Sequence, residues 1–420
     1  MPRRVHVIGA GLAGLATAIR LQRSGVQIAL YDAARQAGGR CRSYYDTTLG
    51  ATLDCGNHLM LAGNTHALDY ARVIGAAGEL AGAADPGFAF MDLAAARRWN
   101  VRLARTPFWP GILHTRVPGA RAVDYLRLLP LFFAKPGRTL GQTMRCDGAL
   151  WDRMLRPLFL AGLNVEPHRA SAELAGNMVR EALAGGGDAF RPLVVRSGLS
   201  TAFVDPALRM LQHGGATIRL GSPLLQIAFD DAGRRVAALD FAAGRVVPGH
   251  DEAVVLAVPP EAAAALVPGI QTPQRFTAIV DVHFAVEPPR GLAWPLALVN
   301  GTVDWLNAAR GRLCATIHDA QGVLDVPPAT LARRVWAEVA AAASLPAEPL
   351  PPWQVVSTPR ATFAALPGEE LRRPATRTRW NNLMLAGDWT ATGLPATIEG
   401  ALRSGRKAAD LLLKEPMESR

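Results

Sequence analysis

The chain is poor in lysine, in cysteine and in uninterrupted apolar sequence. Only Lys135, Lys407 and Lys414 are lysines among its 45 basic residues, so arginine carries almost all of a net charge of +10. No lysine- and arginine-rich tract interleaved with aromatics occurs, which argues against nucleic acid as a partner. The four cysteines, Cys41, Cys55, Cys146 and Cys314, are scattered. None forms a CxxC or Cys/His cluster, so no metal centre or disulfide framework is expected, and a reducing compartment is. No window offers the ~18 or more apolar residues of a spanning helix. The nearest approach, 253–270, is broken by Pro259, Pro260, Glu261 and Pro268. A soluble or peripheral protein is expected.

Half of the 420 residues are hydrophobic. That permits a large core and about two or three domains. The first motif is immediate. Val5–Ile8 is an apolar run ending in Gly9, and Gly9, Gly11 and Gly14 give the spacing GxGxxG. Ala13–Arg23 reads as a helix stopped by Gly25, and a second apolar run, Val26–Tyr31, ends at Asp32. This is the dinucleotide fingerprint in its strand–helix–strand context. The first glycine permits the tight turn, the second a close approach of pyrophosphate, and the third close helix packing. The helix N-terminus offers free N–H groups to phosphate, and Asp32 is placed to bind ribose hydroxyls. Arg3 and Arg4 before an apolar run, with Ala16-Thr17-Ala18 beyond, imitate a signal peptide. The fingerprint accounts for the same residues, and cleavage there would destroy it.

A second glycine pair, Gly38-Gly39-Arg40, follows the ribose acid. It suggests another backbone approach to the pyrophosphate, with Arg40 neutralising charge. Thr52–Cys55 reads as a short strand leading to Gly56, Asn57 and His58. Residues 66–195 lose the α/β rhythm and read as a mainly helical insertion broken by Pro107, Pro110, Pro118, Pro130, Pro136 and Pro157. Within it, Val123–Ala134 is an apolar helix flanked by Arg116, Arg121, Arg127, Lys135 and Arg138. Such a helix can lie in a membrane interface, be buried, or wall an apolar pocket.

The alternation returns after Gly198. A helix from Phe203 to Gln212, a strand at Ala216–Leu220 and a hairpin of Ser222–Phe229 with Val236–Phe241 are expected. Ala253–Val258 fits a strand buried on both faces. Residues 275–378 read as a second insertion, with strands at Val280–Val286 and Leu313–Ile317 and a helix at Leu331–Ala343. The strand Asn382–Ala386 then ends in Gly387-Asp388, and a helix runs to Leu413. Asp388 can bind a sugar-alcohol chain, and this second helix N-terminus can face an electron-rich ring. A nicotinamide enzyme does not need that element. A flavin site does, because ribityl and isoalloxazine extend away from the first glycine loop.

The two end motifs, with Ser222-Pro223-Leu224 and Ala253–Val258, resemble the flavin amine oxidase and phytoene desaturase superfamily. The chain looks closer still to the squalene-associated FAD-dependent desaturases, the hydroxysqualene dehydroxylases of bacterial hopanoid pathways. GDWTATGLPATIEGALRSG (387–405), PLFLAGLNVEPHRASAELAGNMVREAL (157–183) and RATF (360–363) carry that likeness. It implies an α/β fold: a Rossmann-like, glutathione-reductase-like FAD domain (1–65, 196–274 and 379–420) with an inserted α+β substrate domain (66–195 and 275–378). It implies FAD contacts from Gly9, Ala10, Gly11, Leu12, Ala13 and Gly14; from Tyr31, Asp32 and Ala33; and from Gly38, Gly39 and Arg40. Gly56, Asn57 and His58, Leu224 and Ala257, and Gly387, Asp388, Ala396, Thr397 and Ile398 complete the set. The family stretch Asp-Asn-Gly-Gln-His is here Asp54-Cys55-Gly56-Asn57-His58, which differs at Cys55 and Asn57.

The resemblance further implies reductive loss of the allylic hydroxyl of hydroxysqualene, giving squalene. A proton donor for that hydroxyl is required; His58 is the candidate and Glu399 the second. The partner is then a large apolar isoprenoid. Peripheral contact with an anionic membrane, on the cytoplasmic side, is expected through Val123–Ala134, with Leu128, Leu131 and Phe132 facing lipid. A phytoene-type desaturase or other polyprenoid oxidoreductase is the enzymatic alternative, and a flavin-free lipid escort the non-enzymatic one. An amine oxidase is disfavoured, since 275–378 contains no lysine and Ile398 stands where an aromatic is expected.

Overall fold

The computed structural model describes residues 1–82, 87–102, 117–184 and 186–414. Arg116, Pro107 and Pro110 lie outside them. Five parallel strands form the nucleotide-side sheet. Arg4–Ile8 lies at its centre, between Gln27–Tyr31 and Glu252–Leu256, with Thr217–Arg219 and Leu383–Leu385 at the edges. The central strands are apolar on both faces because both are covered: Val5, Val7 and Val255 pack under helices, and Ile8, Tyr31 and Val254 pack on the antiparallel strands Leu224–Phe229 and Val236–Phe241. The fingerprint helix, Leu12–Gln22, packs on the C-terminal helix, Ile398–Lys414. A Cβ on Gly405 would lie 2.2 Å from the Ala13 carbonyl oxygen, so only glycine allows this approach. The Thr17 hydroxyl, bonded to the Ala13 and Gly405 carbonyls, pins the pair.

The two insertions meet in one seven-stranded sheet. Its order is Trp353–Phe363, Phe276–Phe284, Arg312–Ile317, Trp305–Ala309, Leu296–Val299, Phe88–Asp92 and Arg97–Val101. The last two strands come from 66–195, whose described residues are otherwise mainly helical. Side chains alternate across a strand, and this sheet uses both faces. Val280, Val282 and Phe284, with Leu313, Ala315 and Ile317, pack under the helix Pro328–Ala343. Asp281, His283, Cys314 and Thr316 occupy the opposite face, yet all are buried.

One domain limit also moves. The helix Thr65–Val73 buries Ala67 and Tyr70 in the same core as the nucleotide-side sheet, so a boundary at 65 separates it from its packing partners. Val123–Ala134 is the other correction. Ala122–Phe133 is a 3-10 helix, with three residues per turn. Leu128 and Leu131 therefore point into the core, whereas Val123, Leu126, Leu129 and Phe133 are exposed. Among the described residues, no helix is long and apolar enough to cross a membrane.

Candidate functional site

The C-terminal ends of the parallel strands bring the predicted handles to one edge, where ligands of open α/β sheets bind. Gly9 leaves the central strand at φ +108°, a conformation that favours glycine, and a Cβ there would lie 2.3 Å from the Ala257 carbonyl oxygen. At Gly14 it would lie 1.8 Å from the Gly9 carbonyl oxygen. At Gly11 it would meet nothing within 4 Å. The three glycines thus divide as the motif demands: two allow protein contacts, and the middle one faces space. Gly11 caps the helix with no side-chain hydrogen bond and no acid in the first turn, so the first amides remain available to an anion. The second glycine pair closes on the same place, with a bridge between Gly11 and Gly38.

Asp32 is held for its task. Its carboxylate oxygens accept from the backbone N–H of Ala10 and of Ala34, each at 2.7 Å. The Tyr31 ring is buried against Phe241, 4.5 Å between centroids. The Tyr31 carbonyl accepts the Gly9 N–H at 2.7 Å, which ties the end of this strand to the first turn. Arg40 and Asp388, expected to serve separate parts of the cofactor, meet each other: the guanidinium donates to both carboxylate oxygens at 2.6 Å. Arg40 also donates to the Ala361 carbonyl, so it joins the second glycine loop to the seven-stranded sheet. Its side chain is half exposed while Asp388 is buried.

Sequence reasoning missed Arg373. Its buried guanidinium donates to the carbonyls of Asp388 and Thr390 and to the Thr392 hydroxyl. It shapes the turn that presents Asp388. Thr397 begins the C-terminal helix as a cap, accepting the Gly400 N–H. The amides of Ile398 and Glu399 are thereby left for a partner outside the helix. Ala396 is half-buried before this cap, and Leu224 is half-buried at the start of its strand.

Glu399 has a different job from the one expected. Its buried carboxylate accepts from the N–H groups of His66 and Ala67 and pairs with His66 Nδ1 at 2.8 Å. It caps a neighbouring helix, Thr65–Val73, which lacks a side-chain cap of its own. Burial alone would raise its pKa, but the hydrogen bonds from His66 and Ala67 outweigh burial and hold it below the ordinary range. An ionised cap is not a proton donor.

The far end of the site lies at Gly56–His58. Gly56 has φ +106°, and a Cβ there would lie 3.5 Å from His58 Nε2 and 3.9 Å from Asp281 Oδ2. His58 Nε2 is buried without a hydrogen-bond partner. Burial lowers the His58 pKa, against the pull of Asp54, so the neutral imidazole is favoured. Neutral imidazole is a poor acid, which weakens the expectation that His58 donates the proton. The Asn57 amide is turned to the substrate-side sheet, donating to Asp281 Oδ1 at 3.0 Å and to Thr316 Oγ1 at 3.1 Å. Thr316 itself donates to Asp281 Oδ1 at 2.7 Å. The alternation in AIVDVHF and LCATI was the sequence signal for this polar face. Among the described residues no cluster of side chains could hold a metal ion.

The profile of the family described as flavin containing amine oxidoreductase matches residues 12–413. The chain is 48% identical over 416 residues to a Hydroxysqualene dehydroxylase of Rhodopseudomonas palustris, covering 98% of this chain and 99% of that one. It is 46% identical over 417 residues to a Hydroxysqualene dehydroxylase of Sinorhizobium fredii, covering 99% of each. Among solved structures, putrescine oxidase bound to putrescine superposes with a TM-score of 0.71 at 18% identity, covering 99% of this chain and 100% of that one. That likeness is one of fold. The residues present fit FAD: an uncapped helix start with open space at Gly11 for the pyrophosphate, an oriented Asp32 for the ribose, and an unpartnered buried His58 nitrogen at the far end. The chain belongs to the flavin containing amine oxidoreductases and, within them, to the hydroxysqualene dehydroxylase family, and it is an FAD-dependent oxidoreductase.

Proposed function

We infer that the chain replaces the allylic hydroxyl of hydroxysqualene with hydrogen, giving squalene. The carrying observation is near-full-length identity of 46–48% to two proteins named for that reaction. Bound in its reduced form, FAD supplies the hydride. The chain must then bind the cofactor, exclude water and bring a proton to the leaving oxygen. Gly11, Gly38 and the first helix receive the pyrophosphate, and Asp32 the ribose. The Arg40–Asp388 pair holds the second glycine loop against the turn of Gly387. Loss of water from an allylic alcohol leaves a cation that bulk water would capture, so the reacting carbon needs a dry site. Asp281, His283 and Thr316 are polar but almost wholly withdrawn from solvent, which suits that need.

Anaerobic turnover of hydroxysqualene by the reduced holoenzyme, followed by chromatography for squalene, tests the activity. Phytoene run in parallel separates it from a desaturase. Squalene from the first and no desaturation of the second is expected; the reverse pattern overturns the inference.

His58 is assigned a hydrogen bond to the flavin edge or the departing water. The His58→Ala variant should keep its flavin and lose about tenfold in turnover, the value of one hydrogen bond of about 1.4 kcal/mol. A yellow variant turning over at the wild-type rate would remove His58 from the site.

An apolar C30 substrate resides in membrane, and the exposed stripe Val123, Leu126, Leu129 and Phe133 is the proposed contact with it. Exposed Arg121, Lys135 and Arg138 beside the stripe match an anionic surface. Aspartate at Leu126, Leu129 and Phe133 together should weaken flotation with anionic liposomes about tenfold or more, as burying one such side chain contributes about 1.5–3 kcal/mol. Undiminished binding by the folded triple variant would exclude this face. Leu128 and Leu131 are unsuitable test positions, because they belong to the core.

A further inference from the structure

We propose that Asp281 is the proton donor to the departing hydroxyl, an assignment that rests on the dehydroxylation inferred above. Four observations place it there. It sits on the sheet face opposite the Pro328–Ala343 helix, 1% exposed. Its Oδ2 and the unpartnered His58 Nε2 both flank Gly56, each within 4 Å of where a Cβ on that glycine would stand. Its carboxyl is held in place: Oδ1 accepts from Asn57 Nδ2 and Thr316 Oγ1, and the Asn57 backbone also bonds to it. The residues assigned to the cofactor also lead to it: Gly11 bridges Gly38, Arg40 follows in the same loop, and the His58 ring beside Asp281 bonds to the Arg40 backbone.

The environment suits an acid. Burial pushes the Asp281 carboxyl above the ordinary range, against the hydrogen bonds from Thr316 and Asn57 and the charge of His318. The other titratable groups around it are Tyr44, Asp54 and His58 from the 44–58 segment, and Arg312 and Cys314 from the adjoining strand, with His283 on its own strand. Burial holds His283 neutral, with its pKa lowered to about 3, and keeps Cys314 a thiol. Neither competes as a proton donor: the first has no proton to spare as an imidazolium, and the second is too weak an acid.

The Asp281 proton passes to the hydroxyl oxygen, and the carbon–oxygen bond breaks with its electron pair leaving on water. The allylic carbon is left with a positive charge, faced by the new carboxylate. The hydride that fills it brings two electrons from the reduced flavin of the proposed reaction. Asp281 regains a proton from solvent before the next turnover.

The test uses the holoenzyme and two variants. Asp281→Asn keeps size and polarity but cannot donate this proton; single-turnover reduction of hydroxysqualene should fall about 10²-fold or more. Thr316→Val keeps the acid and removes a hydrogen bond that favours its charged form. Wild-type rate should fall as pH rises through the Asp281 pKa; in Thr316→Val that limb should move to higher pH, and in Asp281→Asn it should vanish. Infrared spectra give a readout independent of turnover. A protonated-carboxyl band that persists above the range of ordinary carboxylates should be present in wild type, with or without flavin, and absent from Asp281→Asn. If wild type makes squalene and flavin-bound Asp281→Asn does so at the same rate, the assignment falls alone. An unshifted limb in Thr316→Val, or a band unchanged by Asp281→Asn, also overturns it. If wild type makes no squalene, the activity and this assignment fall together.

Discussion

Gly11→Val should yield a folded, colourless protein. The backbone at Gly11 has φ −73° and ψ 176°, an extended conformation that valine favours, and a Cβ there meets no protein atom within 4 Å. The substitution therefore places its bulk in the space left for pyrophosphate and strains nothing else. Two or more amide-to-phosphate hydrogen bonds are lost, each contributing about 1.5–3 kcal/mol, so FAD affinity should drop by roughly 10²–10⁴-fold. Gly14→Val is the contrast, because its Cβ would overlap the Gly9 carbonyl at 1.8 Å. That variant should fail to accumulate as folded protein. Gel filtration with flavin absorbance, and melting of the flavin-free proteins, separate the two outcomes. A yellow Gly11→Val protein would show that the pyrophosphate lies elsewhere.

Glu399→Ala should be among the most destabilising single changes in the nucleotide-side core. Its carboxylate is 3% exposed and satisfies two backbone amides at the start of another helix. Leaving both unsatisfied costs about 1–3 kcal/mol each, so a loss of about 2–6 kcal/mol is expected. The effect carries a pH signature. The folded pKa of Glu399 lies below its unfolded value, so this stability is fully present above the unfolded pKa of about 4.3 and is lost as pH falls through the folded pKa. Glu399→Gln should retain part of the cap and lose that acid-side dependence. Denaturant titrations of the three proteins at neutral and acidic pH measure both. A wild-type-like midpoint for Glu399→Ala at neutral pH would mean that the cap is dispensable.

The fingerprint was legible because it is local. The turn, the helix start and the ribose acid lie within 24 residues, and each glycine answers to its immediate neighbours. The far-end motif was legible for the same reason, as a strand, a Gly-Asp turn and a capped helix in succession. The 3-10 form of Ala122–Phe133 was not. Its apolar composition suits an α-helix equally well, and only packing decides which leucines face inward. Arg373 gave no signal, since one arginine among so many announces nothing about the four oxygens gathered around it.

By itself, then, the sequence determined the cofactor's handle, the flavin-type second motif, the class of fold and the family. Those depend on short-range geometry and on the order of elements along the chain. Tertiary structure alone decided how the chemical groups are shared out. It joined Arg40 to Asp388 and made Glu399 a cap for a helix 333 positions away. It also set Asn57 and Asp281, 224 positions apart, in one buried hydrogen-bonded cluster. Strand alternation says that Asp281 and His283 share a face. What covers that face, and so whether an acid there is solvated or poised, is settled only when the 54–58 segment packs over it and excludes water.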